Sequence, residues 1–225
     1  MYLILNIFIT LLTITNVNAK PIKIAVMDSG INSYYKFLHE KTCEFENFTN
    51  SVEDDLKHGT NVTGLIFNEL KDAKIDYCFV VIKIFPTNDA AESIYKALEF
   101  VSNSKDIDYL NLSLGGYGNL IREGKLLEKI ANNGVKIIAA AGNNSHNLDE
   151  SCNFFPACYD KVTGIYIIGN GFSLDNRSKT SNYGSRVTAW VDGQQKCFYD
   201  ICMSGTSQAT AIFTGQLVKQ HKGKK

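Results

Sequence analysis

The chain has no excess charge of either sign: 23 Lys and Arg stand against 23 Asp and Glu in 225 residues. That balance excludes an electrostatic grip on nucleic acid or anionic lipid as the organising principle of function. The lysines at the end, Lys219, Lys222, Lys224 and Lys225, read as a solvated tail. Internal repeats, low-complexity linkers and breaks in composition are also lacking, so a length that would permit two small domains is read as one mature domain. No segment offers 18 continuous apolar residues, which leaves no confident membrane span. There is no Cys-x-x-Cys pair and no cluster of histidines, which makes zinc the weaker reading of the six cysteines.

What the chain does have begins at its N-terminus. Residues 2–14, YLILNIFITLLTI, form an apolar run closed by Val17-Asn18-Ala19. Small or apolar residues at Val17 and Ala19 match a signal-peptidase site, so 1–19 is expected to be a signal peptide and 20–225 the mature domain. No Lys or Arg precedes the run, and an uncleaved anchor stays open as the alternative. The expected location is secreted or periplasmic, with no membrane association after cleavage. Cys43, Cys78, Cys152, Cys158, Cys197 and Cys202 all follow the cleavage point. An even count in an exported chain reads as three disulfides, although six cysteines allow about 15 pairings. Nearest-neighbour pairing would join 43–78, 152–158 and 197–202.

The mature sequence alternates apolar runs with amphipathic stretches. Ile22–Met27, Cys78–Phe85, Tyr109–Leu114, Val135–Ala141 and Gly164–Ile168 are continuous runs rich in Ile and Val, as expected of strands buried on both faces of a parallel sheet. His58–Leu70, Ala90–Ser104, Leu120–Asn133 and Ser207–His221 carry apolar residues near helical spacing. The alternation predicts a three-layer α/β/α domain with a mainly parallel central sheet.

Three polar residues stand at special places in this pattern. Ser207 opens the last helix after Ser204-Gly205-Thr206, where a hydroxyl is exposed and the backbone N–H points outward. An ordinary N-cap serine would look the same. His58 opens its helix after the charged loop Glu53-Asp54-Asp55-Leu56-Lys57, and it is the histidine of the four that small residues flank. Asp28 ends the first strand, at the edge where open α/β sheets build their sites, though an Asx turn before Gly30 would also place it there.

Together, Asp28-Ser-Gly-Ile, His58-Gly-Thr and Gly205-Thr-Ser-Gln-Ala resemble the signatures of the subtilisin-like serine peptidases, in the chain order Asp, His, Ser. The separations, 30 residues from Asp28 to His58 and 149 from His58 to Ser207, are close to those of compact members. Asn111-Leu-Ser-Leu-Gly-Gly resembles the family's substrate strand, Ala139-Ala-Ala-Gly-Asn143 its oxyanion segment, and Ser181-Asn-Tyr-Gly the stretch before the nucleophile loop. The resemblance spans about Ile22 to Gly215.

It implies a serine endopeptidase that forms an acyl-enzyme, with Ser207 as nucleophile, His58 as base, Asp28 as its orienter and Asn143 as oxyanion donor. Leu112, Ser113, Leu114, Gly115 and Gly116 would bind a peptide as an added strand. Ala140, Ala141, Gly142 and Phe154 would line the primary pocket with Ser113–Gly115. A 152–158 bridge would stiffen one wall, and Phe154 would fill the floor and favour small side chains. Peptides or proteins are the expected substrates, the chain is expected to act as a monomer, and the chemistry requires no cofactor. Structural calcium is frequent in the family, but no acidic set in this sequence is assignable to it.

The sequence also departs from the family's pattern. Nine residues, Lys20 to Asp28, precede and include the first triad position, leaving no room for a pro-domain, and 18 residues follow Ser207. Ala211 stands where a proline is usual, and Asn61 replaces the second histidine of His-Gly-Thr-His. Sequons at Asn47, Asn61, Asn111, Asn143 and Asn176 include two positions assigned to the substrate strand or oxyanion segment, so little weight falls on them. A binding module that kept the scaffold without turnover is the alternative from another class. An esterase or acyltransferase with the same nucleophile is the other.

Overall fold

The continuous apolar runs become the interior of a seven-stranded parallel sheet. The computed structural model describes residues 20–118, 121–159 and 162–221. The expected leader, the helix start expected at Leu120 and the last residues of the basic tail lie outside them. In chain order the elements are β1 (Ile22–Asp28), α1 (Lys36–Glu40), β2 (Thr42–Asn47), α2 (His58–Leu70), β3 (Tyr77–Lys83), α3 (Ala90–Asn103), β4 (Tyr109–Leu112), β5 (Gly116–Tyr117), α4 (Ile121–Asn132), β6 (Lys136–Ala140), β7 (Phe154–Phe155), β8 (Ile165–Asn170), β9 (Ala189–Val191), β10 (Lys196–Phe198), β11 (Ile201–Met203) and α5 (Thr206–Lys219). The sheet runs β2-β3-β1-β4-β6-β8-β9. β10 and β11 form a separate antiparallel hairpin, and β5 pairs antiparallel with β7.

Successive side chains of a strand point to opposite faces, so each central strand feeds two cores. Ala25, Met27, Val80, Ile82, Leu110 and Ile137 pack with Ala97, Leu98 and Val101 of α3 and Leu127 and Ile130 of α4. Ile24, Val26, Phe79, Val81, Ile138 and Ile168 pack with Val62, Leu65 and Ile66 of α2 and Ala209, Ala211 and Val218 of α5. The result is the three-layer α/β/α arrangement expected from the sequence. Ala211 is fully buried on the inner side of α5.

All six cysteines are oxidised, as Cys43–Cys78, Cys152–Cys158 and Cys197–Cys202. The first ties edge strand β2 to β3, and the last spans directly opposed residues of the β10–β11 hairpin. Among the described residues no helix is long and apolar enough to cross a membrane.

Candidate active site

Asp28 closes β1, and its Oδ1 accepts from His58 Nδ1 at 2.7 Å. The backbone N–H of Ser29 donates to the same oxygen at 2.7 Å, and Ser29 Oγ lies 3.3 Å from it. Ser29 Oγ in turn accepts from the Gly59 N–H at 2.8 Å. Thr60 N–H and Oγ1 both donate to Asp54 Oδ2, at 2.8 and 2.6 Å. Two of the donors that an α-helix leaves unpaired in its first turn are therefore satisfied from outside α2. These bonds hold His58 against Asp28 before any substrate arrives. The Asp28 charge raises the His58 pKa above its ordinary value, opposed by burial and helped by the hydrogen bond and by Asp54.

Ser207 is the second residue of α5, one place later than the sequence pattern suggests. Its hydroxyl donates to the Ser113 carbonyl at 2.9 Å, and Ser113 Oγ donates back to the Ser207 carbonyl at 2.9 Å. The starts of α2 and α5 are joined directly: Gln208 Nε2 donates to Asn61 Oδ1 at 3.0 Å. Asn61 Nδ2 donates to the carbonyls of Ile201 and Lys196, at 2.8 and 3.2 Å, which adds the β10–β11 hairpin to the same junction. Asn61 thus occupies the position of the family's second histidine as a buried three-way bracket.

Asn143 follows β6, and its Oδ1 accepts from Thr206 N–H at 2.9 Å. With the amide oxygen held there, the Asn143 NH₂ is left as the donating end. The loop carrying it is organised by Asn182, which is fully buried. Asn182 Nδ2 donates to the Ala141 carbonyl at 2.8 Å, and its Oδ1 accepts from the Asn144 and His146 N–H groups at 3.0 Å. Gly142 has φ +100°, a conformation that side chains other than glycine's rarely adopt.

A cleft of ≈ 300 Å³ beside Ser207 is lined by Ser113, Leu114, Gly115, Ala140, Gly142, Asn143, Asn144, Phe154 and Thr206. Of the residues expected to bind substrate, Leu112 and Ala141 lie instead in the apolar core. Gly116 is exposed and pairs with Phe155. Leu112 pairs with Ala139 within the sheet ladder, so the open stretch begins at Ser113. Phe154 is 7% exposed, and a Cβ added at Gly115 or Gly142 would meet its ring edge at 2.6 Å and 2.9 Å from Cζ.

Two contributors were not legible from sequence motifs. Asn182 belongs to the Ser181-Asn-Tyr-Gly stretch, but its brackets on 141–146 are long-range. Lys83, at the end of an apolar strand, lies fully buried behind Asp28, with which it pairs in register. Among the sequons, Asn61 and Asn111 are fully buried with their side chains bonded, Asn111 to Ser113 Oγ and Thr214 Oγ1. Among the described residues no group of three or more His, Cys, Asp or Glu side chains is gathered for a metal.

A sequence profile of the Subtilase family, Peptidase_S8, matches residues 19–223. The chain belongs to the subtilase family. It is 27% identical over 201 residues to alkaline serine exoprotease A of Vibrio alginolyticus, covering 84% of this chain and 36% of that protein. It is 29% identical over 175 residues to the extracellular serine proteinase of Thermus sp. (strain Rt41A), covering 73% of this chain and 41% of the relative. The subtilase thus spans well under half the length of these two curated relatives. Its fold is similar to that of a cold adapted subtilisin-like serine proteinase, with TM-score 0.67 and 25% identity over 86% of this chain and 72% of the other.

Proposed function

We propose that this subtilase is a secreted serine endopeptidase acting through Asp28, His58 and Ser207. The observation that carries the reading is the 2.7 Å Asp28–His58 hydrogen bond, held in a frame whose helix is bracketed to the start of the nucleophile helix by Asn61 and Gln208. Family membership and the serine proteases among its relatives support the same reaction.

In the mechanism, Ser207 Oγ turns from the Ser113 carbonyl toward His58, whose Nε2 takes its proton as Oγ bonds to the scissile carbonyl carbon. The negative oxygen is held by the Asn143 NH₂ and by the Ser207 N–H, one of the first-turn donors that α5 cannot satisfy internally. His58 then passes the proton to the leaving amine as the C–N bond breaks. Water, deprotonated by the same imidazole, attacks the acyl carbon, and the ester bond to Ser207 Oγ breaks as His58 returns the proton to that oxygen. Asp28 keeps Nδ1 protonated and stabilises the imidazolium throughout. No step calls on a cofactor, and the enzyme acts as a monomer.

Substrate lies extended along Ser113–Gly116. Its residue on the acyl side enters the cleft whose depth Phe154 limits, which favours small side chains. The bridge Cys152–Cys158 stiffens the Phe154 wall. Export is supported by the complete oxidation of six cysteines and by relatives named as extracellular. The test is steady-state hydrolysis of a peptide panel varied at that position. Wild type is expected to cleave after Ala or Gly in preference to Phe or Leu, and Phe154→Gly to move the preference toward the larger residues. An unchanged ranking contradicts the pocket assignment, and cleavage surviving in Ser207→Ala contradicts the mechanism.

A further inference from the structure

Behind the Asp28–His58 pair lies a lysine with no carboxylate in hydrogen-bonding range among the described residues. Lys83 is 0% exposed at the end of β3. Its Nζ donates to the carbonyls of Ser29 and Phe85, each at 2.6 Å. Ser29 is the residue that joins the two halves of the pair: its N–H holds Asp28 Oδ1 and its hydroxyl holds the Gly59 N–H next to His58. The chain turns away at Gly30, φ +100°, where a Cβ would press on Lys83 Cδ at 3.2 Å. The lysine stem, the glycine turn and the catalytic strand end are therefore packed as one unit.

The charges around this unit are unbalanced without the lysine. Asp28 and Asp54 are both buried, and Asp28 Oδ2 and Asp54 Oδ1 have no hydrogen-bond donor among the described residues. The charges whose fields act on Lys83 are Asp54, Asp55 and Glu53 from the loop before α2 and Asp28 on β1, all acidic. Its partner on the other neighbouring strand is Asn47 of β2, which is neutral. Burying charges uncompensated is expensive, and a cation beside them offsets that cost.

We propose that Lys83 is an electrostatic counterweight to the proposed triad, its ammonium, anchored on the Ser29 and Phe85 carbonyls, offsetting the Asp28 and Asp54 charges that act on His58. The inference rests on the catalytic reading above. Burial alone works against the ammonium, lowering the Lys83 pKa from its ordinary value, while the four carboxylates oppose that shift. Two short bonds to carbonyl oxygens favour the charged form, since both acceptors gain from it.

The sign of the consequence separates this role from a merely structural one. Removing a positive charge leaves the carboxylates unopposed, favours imidazolium and raises the His58 pKa. Loosening Ser29 alone weakens the Asp28–His58 bond and lowers it. The experiment is an NMR titration of the His58 ring in folded, oxidised wild type, Lys83→Met and Lys83→Gln. An upward shift of roughly one pH unit is expected in the variants, the order of magnitude for removing one nearby charge at an effective dielectric of about 20. The acid limb of kcat/KM should move up by the same amount. An unchanged or lowered His58 pKa overturns the proposal. Should neither variant fold, the ¹⁵N shift of Lys83 Nζ in wild type at pH 7 decides: an ammonium supports the proposal and a neutral amine overturns it. Wild-type Ser207 that resists a fluorophosphonate counts against the catalytic reading itself. Labelled wild type with an unmoved His58 pKa sinks the Lys83 role alone.

Discussion

At the scale of single residues, the proposed oxyanion site depends on which way one amide faces. Asn143 Oδ1 is committed to Thr206 N–H at 2.9 Å, so the NH₂ group is the end left to meet a developing oxyanion. Because that charge appears only in the transition state, Asn143→Ala is expected to lower kcat by about 10²–10³-fold and leave KM nearly unchanged. Steady-state kinetics check this, and a rise in KM at constant kcat would contradict the assignment. Asp28, His58, Ser207 and Asn143, the proposed site residues, were singled out in the sequence by the short motifs of small residues around each. Lys83 and Asn182 were not. Lys83 sits inside the expected apolar run Cys78–Phe85, and Asn182 inside a stretch noted only for its resemblance, so neither carried a role of its own. Apart from the Phe85 carbonyl two positions from Lys83, the groups they bond lie 36 to 54 positions away.

At the scale of elements, β1, β3, β4, β6 and β8 were visible because both faces of each are largely buried, which leaves a mostly apolar run. β2, Thr42–Asn47, was not, since it is an edge strand with alternating half-exposed and exposed residues and two glutamates. β9 and the β10–β11 hairpin are three residues per strand, too short for any period to register. The disulfides take up part of the work at these weak edges. Chain-entropy reasoning gives about 4 kcal/mol for the 35-residue separation of Cys43–Cys78 and about 2 kcal/mol for the 5-residue separation of Cys197–Cys202. The order should differ for activity. The hairpin closed by Cys197–Cys202 supplies both carbonyls that fix Asn61, and Asn61 brackets the nucleophile helix. Replacing Cys43 and Cys78 by Ala is expected to lower the urea midpoint more than replacing Cys197 and Cys202. The second pair of substitutions should cost more kcat per unit of stability lost. Urea titration and turnover measured on both variants check this, and equal ratios would contradict the bracket.

At the scale of the whole molecule, two apolar cores on opposite faces of one parallel sheet bring every proposed catalytic group to the same edge. Asp28 stands at the end of β1, Ser113 follows β4, Asn143 follows β6, and α2 and α5 start beside them. An open α/β sheet builds its site at the carboxyl ends of its strands, and a chain with balanced charge needs no other surface for this chemistry. The distances between these groups come from packing, so the alternating runs could announce the architecture while the motifs announced the chemistry. The central claim is that this architecture activates one serine among many. Treating the folded, oxidised protein with a fluorophosphonate and mapping the adduct by mass spectrometry tests it most directly. The account predicts a single labelled residue, Ser207, with labelling lost in His58→Ala and Ser207→Ala. An unlabelled Ser207 in folded protein, or labelling that persists in His58→Ala, would contradict it and leave the scaffold as a binding module.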